Sequence, residues 1–339
     1  MLLYLKKVGV GKERWKDLSY DEAYDAHKKI LNKEATDIQI GAFWSAMRIK
    51  YATTEELTGF IDALRDETNY IDSDEIKPID LAVGYDGKNK TVHILPAAIF
   101  IAAGTGVKIV GHGNENVPSK FGVTYHEVIN AMGCSYQSDP DDILKTVELS
   151  GFGFYHQRYL NPKLTSLLPK RQEFGLRNFL NTIEKMLNPF KTTKVLIGVT
   201  HKQFITKYIQ IGTHVGFKDI FLVNGLEGGI EPYTNRETKV TTNKIFSLSI
   251  FPKKTETLKI TEKTTVKENA DLCIDILKNK NNPFREWVLL TSAIIISAYN
   301  IENDIKKSIT LAEESLNSGA AYECFEIYKS ITKNRKIIF

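Results

Sequence analysis

At Pro78 the hydrophobic period of the chain changes, and this change limits the fold more than any single motif. Beyond it, short apolar runs rich in β-branched residues (DLAV, VKIVGHG, VLIGVT, DIFLVNG) alternate with helical stretches (ILPAAIFIAAGTG, VTYHEVINAMG, FGLRNFLNTIEKML, KQFITKYIQIGTHVG). Strands that alternate with helices need crossover connections, so the pattern predicts a mostly parallel α/β sheet flanked by helices. Gly104, Gly106, Gly133 and Gly216 stand where left-handed residues end helices. The segment 239–251 alternates polar and apolar residues and predicts added antiparallel strands. WVLLTSAIIISAYN, DIKKSITLAEESLNSG and CFEIYKSITKN predict helices that pack back on the sheet. The threonine- and lysine-rich run 254–267 is expected to be a mobile surface segment.

Before Pro78 the pattern is helical. SYDEAYDAHKKILNK places Ser19 ahead of Asp21 and Glu22 and ends on Lys28 and Lys29, which suits both ends of the helix dipole. DIQIGAFWSAMRIKY has Ile38, Phe43, Trp44, Met47 and Ile49 among its apolar residues, and TTEELTGFIDALRDE opens with Thr53 three residues before Glu56, a capping-box spacing. The expectation is a small N-terminal helical domain over residues 1–75 and a larger α/β domain over 76–339.

The 339 residues, 42% hydrophobic and 25% charged, suit an ordinary globular core. No apolar run reaches the roughly 20 residues of a membrane helix. The apolar residues at the N-terminus precede its lysines, which argues against a secretory signal. Cys134, Cys273 and Cys324 lack CxxC spacing, so reduced thiols and a cytoplasmic location are expected. The net charge of +4 implies no nucleic-acid partner, although Lys6, Lys7, Lys12, Arg14 and Lys16 crowd one end and Lys163, Lys170, Arg171 and Arg177 the middle. Ser-His-Asp order, zinc spacing and a Walker loop are all missing from the sequence.

Candidate chemistry lies in loops that follow predicted strands. GYDGKNKTVHILP carries Gly84, Tyr85, Asp86, Gly87, Lys88 and Lys90 ahead of Pro96 at a helix start. Free backbone N–H groups, a helix N-terminus and two lysines suit a phosphate, and the same residues make an ordinary tight turn. VGHGNENVPSKFG brings His112, Gly113, Asn114, Ser119 and Lys120 to the same edge, where open α/β sheets bind ligands. His112 reads equally as a core histidine or a ligand contact. Near LLPKRQEFGLRNFLN, Arg171 and Arg177 cannot share one helix face if a helix begins after Gly175, so one can face a cleft while the other stays outside. Glu227 and Glu231 in VNGLEGGIE are candidate Mg²⁺ ligands or merely solvated loop residues.

Taken in order, TEELTGFIDALRDE, HGN…SK, PKRQEFGLR…NP and EESLNSGAA resemble the anthranilate phosphoribosyltransferase family from about Leu5 onward. That family couples phosphoribosyl pyrophosphate (PRPP) to anthranilate with Mg²⁺, as a homodimer. The resemblance implies anion binding by Gly84, Asp86, Gly87, Ser119 and Lys120, acceptor binding by His112, Gly113, Asn114 and Arg171, Mg²⁺ at Glu231, and a dimer built through the N-terminal helices. The departures fall where the chemistry belongs. Tyr85 replaces a glycine of GTGGDG, and Leu95–Pro96 replaces the hydroxyl pair of NIST. Gly111 replaces a lysine, and Ile230 replaces one acid of the Asp-Glu metal pair. This pattern resembles the family's divergent paralogues, some of which bind nucleic acid. Two expectations follow: a pentosyl or phosphoribosyl transferase with an altered or lost PRPP site, a weakened Mg²⁺ site and an unknown acceptor, or a non-catalytic dimer that binds nucleic acid or another polyanion in the old cleft.

Overall fold

The computed structural model describes residues 1–244, 247–250, 264–301 and 304–333. Four helices open the chain: α1 (Leu2–Val8), α2 (Tyr20–Leu31), α3 (Asp37–Lys50) and α4 (Thr54–Arg65). The last three each begin in a full capping box, Ser19 with Glu22, Thr36 with Gln39 and Thr53 with Glu56, so side chains satisfy N–H groups that the first turn leaves open.

The remainder runs β1 (Ile79–Ala82), α5 (Leu95–Ala103), β2 (Ile109–Gly113), α6 (Tyr125–Ala131), α7 (Pro140–Ser150) and β3 (Phe152–His156). Short helices α8 (Gln157–Leu160), α9 (Pro162–Thr165), α10 (Leu168–Phe174) and α11 (Leu180–Ile183) lead to β4 (Lys194–Gly198), α12 (Ile205–His214) and β5 (Asp219–Val223). Then come β6 (Thr238–Thr242), β7 (Ser247–Ile250), α13 (Val266–Leu277), α14 (Arg285–Asn300), α15 (Ile305–Ser318) and α16 (Ala320–Lys333).

The seven strands lie in the order β3-β2-β1-β4-β5-β6-β7, parallel through β5, with β6 and β7 antiparallel. Apolar clusters cover both faces of the sheet. One joins α5, α6 and the C-terminal helices, and the other joins α7 to α12 with α2, α3 and α4. Because β2 and β3 continue to one side of β1 and β4 starts on the other, the topology reverses between β1 and β4. Loops at the carboxyl ends of these strands therefore face a common crevice.

Three details differ from the periodicity reading. The strand GFGFYH and the helix PDDILKTVELS, β3 and α7, were not anticipated. The helix expected from FGLRNFLNTIEKML reduces to α11 and a 3₁₀ turn at Glu184–Met186. Gly104 is right-handed (φ −64°), and the left-handed residue of that turn is Gly106 (φ +91°). Most of the run 254–267 lies outside the described residues, its final residues opening α13. Cys134, Cys273 and Cys324 are free thiols. Among the described residues no helix is long and apolar enough to cross a membrane.

Candidate functional site

The loop after β1 turns at Gly87 (φ +65°), which packs so tightly on Gly122 and Val123 of the β2 loop that a side chain at Gly87 would strike their backbone. Lys88 and Val123 exchange backbone hydrogen bonds of 2.8 and 2.7 Å, and Gly122 N–H donates to Asp86 O at 2.9 Å. The two loops thus form one unit at the sheet edge. α5 follows, with Pro96 in its first turn.

The backbone N–H groups expected to receive a phosphate receive a carboxylate of the chain itself. Glu227, in the turn after β5, accepts from Lys90 N–H at 2.9 Å, Asn89 N–H at 3.3 Å and the Thr91 hydroxyl at 2.9 Å. Lys120 Nζ lies 2.8 Å from the same carboxylate and donates to Gly87 O at 2.6 Å. Burial pushes the Glu227 pKa up, but the Lys120 ammonium, the Thr91 hydroxyl and the Lys90 amide outweigh it and hold the carboxyl below its ordinary range. Lys90 keeps its side chain exposed, and Ser119 is half-buried.

Lys88 turns inward. It is 5% exposed and forms an ion pair with the fully buried Glu231, with His93 Nδ1 3.9 Å from the same oxygen. Ile230 beside it is buried in the apolar cluster. A side chain at Gly229 would meet the Glu231 carboxylate and the Lys88 stem, which would have to shift to admit it. The space left between these loops is about 20 Å³, close to one water molecule.

Tyr85 is buried as well. Its hydroxyl donates to His112 Nδ1, and His112 Nε2–H donates to Asp80 Oδ2 at 3.3 Å, a chain that runs from the loop to the middle of β1. Burial, reinforced by Glu184 and Asp80, raises the Tyr85 pKa well above its ordinary value, so the phenol stays protonated and remains a donor. Arg171, 1% exposed on α10, makes a two-pronged pair with buried Glu184 at 2.6 and 3.3 Å. Asn114 is buried, with Oδ1 accepting Glu115 N–H at 3.1 Å, and Gly113 packs on the His126 ring. At Gly111 the Tyr125 hydroxyl fills the place of a side chain.

Of the two arginines, Arg177 is the one in the crevice, where it pairs with Asp86, and Arg171 lies in the interior. The sequence reading missed Asp80, Glu184 and Lys185. The available signal was a charged pair, Glu184–Lys185, inside the otherwise apolar run that precedes Asn188–Pro189.

Several buried histidines make this architecture sensitive to acid. Burial holds His27 at about 4, and burial also lowers His93, where Lys88 and Lys120 add to it, and His126. The unfolded chain accepts protons near pH 6.5 that the folded one refuses, so this stability is complete above pH 6.5 and is lost as pH falls toward 4. We expect urea unfolding to show about 1.5 kcal/mol less stability at pH 5 than at pH 6.5 from His27 alone. Equal midpoints at the two pH values would refute this.

Similarity to known proteins follows the same geometry. Residues 3–68 match the helical bundle domain of the glycosyl transferase family, and residues 81–322 match its a/b domain. An uncharacterized protein of Aquifex aeolicus is 33% identical over 313 residues, covering 91% of this chain and 96% of that protein. The anthranilate phosphoribosyltransferase of Caldanaerobacter subterraneus subsp. tengcongensis is 32% identical over 320 residues, covering 91% and 93%. Among solved structures, anthranilate phosphoribosyltransferase from Saccharomyces cerevisiae in complex with PRPP and Mg superposes with a TM-score of 0.85 at 22% identity, over 98% of each chain. With both family domains matched in order on the same fold, this chain belongs to the glycosyl transferase family of anthranilate phosphoribosyltransferase-like proteins.

Proposed function

We propose that this chain is a member of the family that has lost the PRPP and Mg²⁺ site and binds a different anionic ligand in its crevice. The observation that carries this reading is Glu227, whose carboxylate takes the loop N–H groups a phosphate would need. Three further pairings support it. Lys88 supplies the positive charge at Glu231, which leaves a divalent cation one carboxylate already neutralised by an ammonium, so the residues present do not fit Mg²⁺. Arg171 spends its guanidinium on Glu184, and Tyr85 caps His112, so the acceptor side is internally paired too. Opening the site would uncover several buried charges at once, and uncompensated buried charge is expensive. Calorimetric titration with millimolar PRPP and Mg²⁺ is expected to give no binding heat. Micromolar binding that disappears in Glu231→Gln would sink the proposal.

A second reading, binding of nucleic acid or another polyanion, draws support from cations that stay exposed around the crevice, Arg48, Lys90 and Lys202. It requires affinity that falls steeply with salt as counterions are released. If a labelled oligonucleotide migrates unretarded at low ionic strength, that reading is lost.

We also propose the family's homodimer, with a cytoplasmic location supported by the free thiols. Leu2 and Leu3 on α1 and Ile38 and Ile49 on α3 are 61%, 77%, 86% and 66% exposed, an apolar surface that a second copy would cover. Leu3→Glu with Ile38→Glu is expected to convert a dimer to a monomer in sedimentation velocity with little change in thermal midpoint. A wild-type monomer, or a double variant that stays dimeric, would refute this interface.

A further inference from the structure

The N-terminal helices are joined to the rest of the chain in two unlike ways. Phe179, just before α11, stacks on Phe60 of α4 with ring centres 4.1 Å apart, and His27 and Phe43 stand edge-on to the same ring. All four side chains are buried, so separating them would expose apolar surface to water. The segment around Phe179 therefore stays with the helical bundle.

Along its solvent edge, α12 meets the bundle through polar groups instead. Tyr208 and Ile211 turn inward and are buried. Lys207, Gln210 and His214 are three and four residues apart, which places them on one face of the helix. Lys207 Nζ donates to Ala52 O in the α3–α4 turn. Gln210 Oε1 accepts from the Thr54 hydroxyl at 2.8 Å, and His214 Nε2–H donates to Asp62 Oδ2 at 2.7 Å. Gln210 and His214 are exposed, so water can take over their bonds at small cost.

The α3–α4 turn that receives Lys207 is itself fixed. The buried Lys50 pairs with Asp17 and, at 2.7 Å, with Glu56, which also accepts Leu18 N–H at 2.8 Å and Thr53 N–H at 2.7 Å. Burial lowers the Lys207 pKa even with Glu56 nearby, so this ammonium regains solvation when it leaves the turn. Ala52, Leu57, Lys207 and Tyr208 line one side of the crevice, a cavity of about 380 Å³. Leu57, one turn on from Thr54 along α4, is 2% exposed.

We propose that the α4–α12 seam is a latch on the side of the crevice. The bundle and the Phe179 segment stay together as one body while α12 parts from α4, and the bonds of Lys207, Gln210 and His214 close the gap again. The Glu227 and Glu231 pairs stay intact in this motion, and the inference does not rest on what the crevice binds.

A cysteine placed inside the seam reads the opening directly. In Leu57→Cys, iodoacetamide under native conditions is expected to label position 57 about tenfold faster than Cys273, followed by peptide mass spectrometry. Cys273 is fully buried in the core on the other face of the sheet, so its labelling reports global unfolding. Adding Lys207→Met, Gln210→Ala and His214→Ala should speed labelling at position 57 about fivefold or more and leave the Cys273 rate unchanged. Lys207→Met alone should act in the same direction. The proposal is overturned if position 57 labels no faster than Cys273, or if the substitutions in α12 leave its rate unchanged. It is equally overturned if they speed both cysteines alike, because the three bonds would then support the whole fold and not a seam.

Discussion

Arg171→Met is expected to cost the fold about 3–5 kcal/mol, because it leaves the Glu184 carboxyl buried without its partner. The family resemblance leads to a different expectation, in which this arginine meets an acceptor and its loss weakens substrate binding while stability barely moves. The geometry favours the structural role. Both side chains are 1% exposed, and their two-pronged contact uses the guanidinium face that a ligand carboxylate would need. Burial pushes the Glu184 carboxyl up, and Arg171 opposes that rise; without Arg171 only Lys185 would remain to oppose it. Arg171→Met with Glu184→Leu should recover most of the loss, since removing both charges together is often neutral or stabilising. Denaturant unfolding of the three proteins tests this directly. A single variant as stable as the wild type would return Arg171 to the list of ligand-binding residues.

The parts of the fold that could be read in the sequence are those whose signals are local. Capping boxes at Ser19 and Thr53, the apolar runs of β1, β2, β4 and β5, and the long C-terminal helices all depend on spacing within a dozen residues. β3 escaped because GFGFYH alternates glycine with aromatics and lacks the Val/Ile signature, yet Phe152 and Phe154 pack into one face of the sheet. The segment around α11 failed for the opposite reason. Its helical periodicity is real, but Gly175 ends α10 in a left-handed turn (φ +69°), and the chain re-enters helix only at Leu180.

At the candidate site the sequence located the loops but not the charge pairs that meet in them. Gly87, Pro96 and the two polar loops do meet at one sheet edge, as strand order alone requires once β1 and β2 are neighbours. What spacing cannot reveal is which charges from distant segments meet. Lys88 finds Glu231, Glu227 finds Lys120, and Tyr85 reaches His112, each across a separation that only the assembled sheet closes. Tyr85, which stands where the family's loop has a glycine, is buried and bonds His112, and the chain's own Glu227 carboxylate accepts the loop N–H groups.

Lys88→Ala carries the sharpest test of the proposal that Lys88 takes the place of a divalent cation at Glu231. With the ammonium gone, Glu231 is a buried carboxylate with no countercharge, and a loss of about 3–5 kcal/mol is expected at neutral pH. A divalent cation could then restore the missing charge. If Mg²⁺ or Mn²⁺ binds the variant with a dissociation constant of about 1 mM, 10 mM metal returns about 1.4 kcal/mol. The melting temperature of Lys88→Ala should therefore rise by a few degrees with metal, while that of the wild type stays flat, because its own lysine holds the carboxylate. Lys88→Ala with Glu231→Gln should lose the response, since a neutral amide offers a far poorer site. Equal metal shifts in wild type and Lys88→Ala would mean that the cation binds elsewhere. A Lys88→Ala protein as stable as the wild type would mean that the buried pair is not what holds these loops shut.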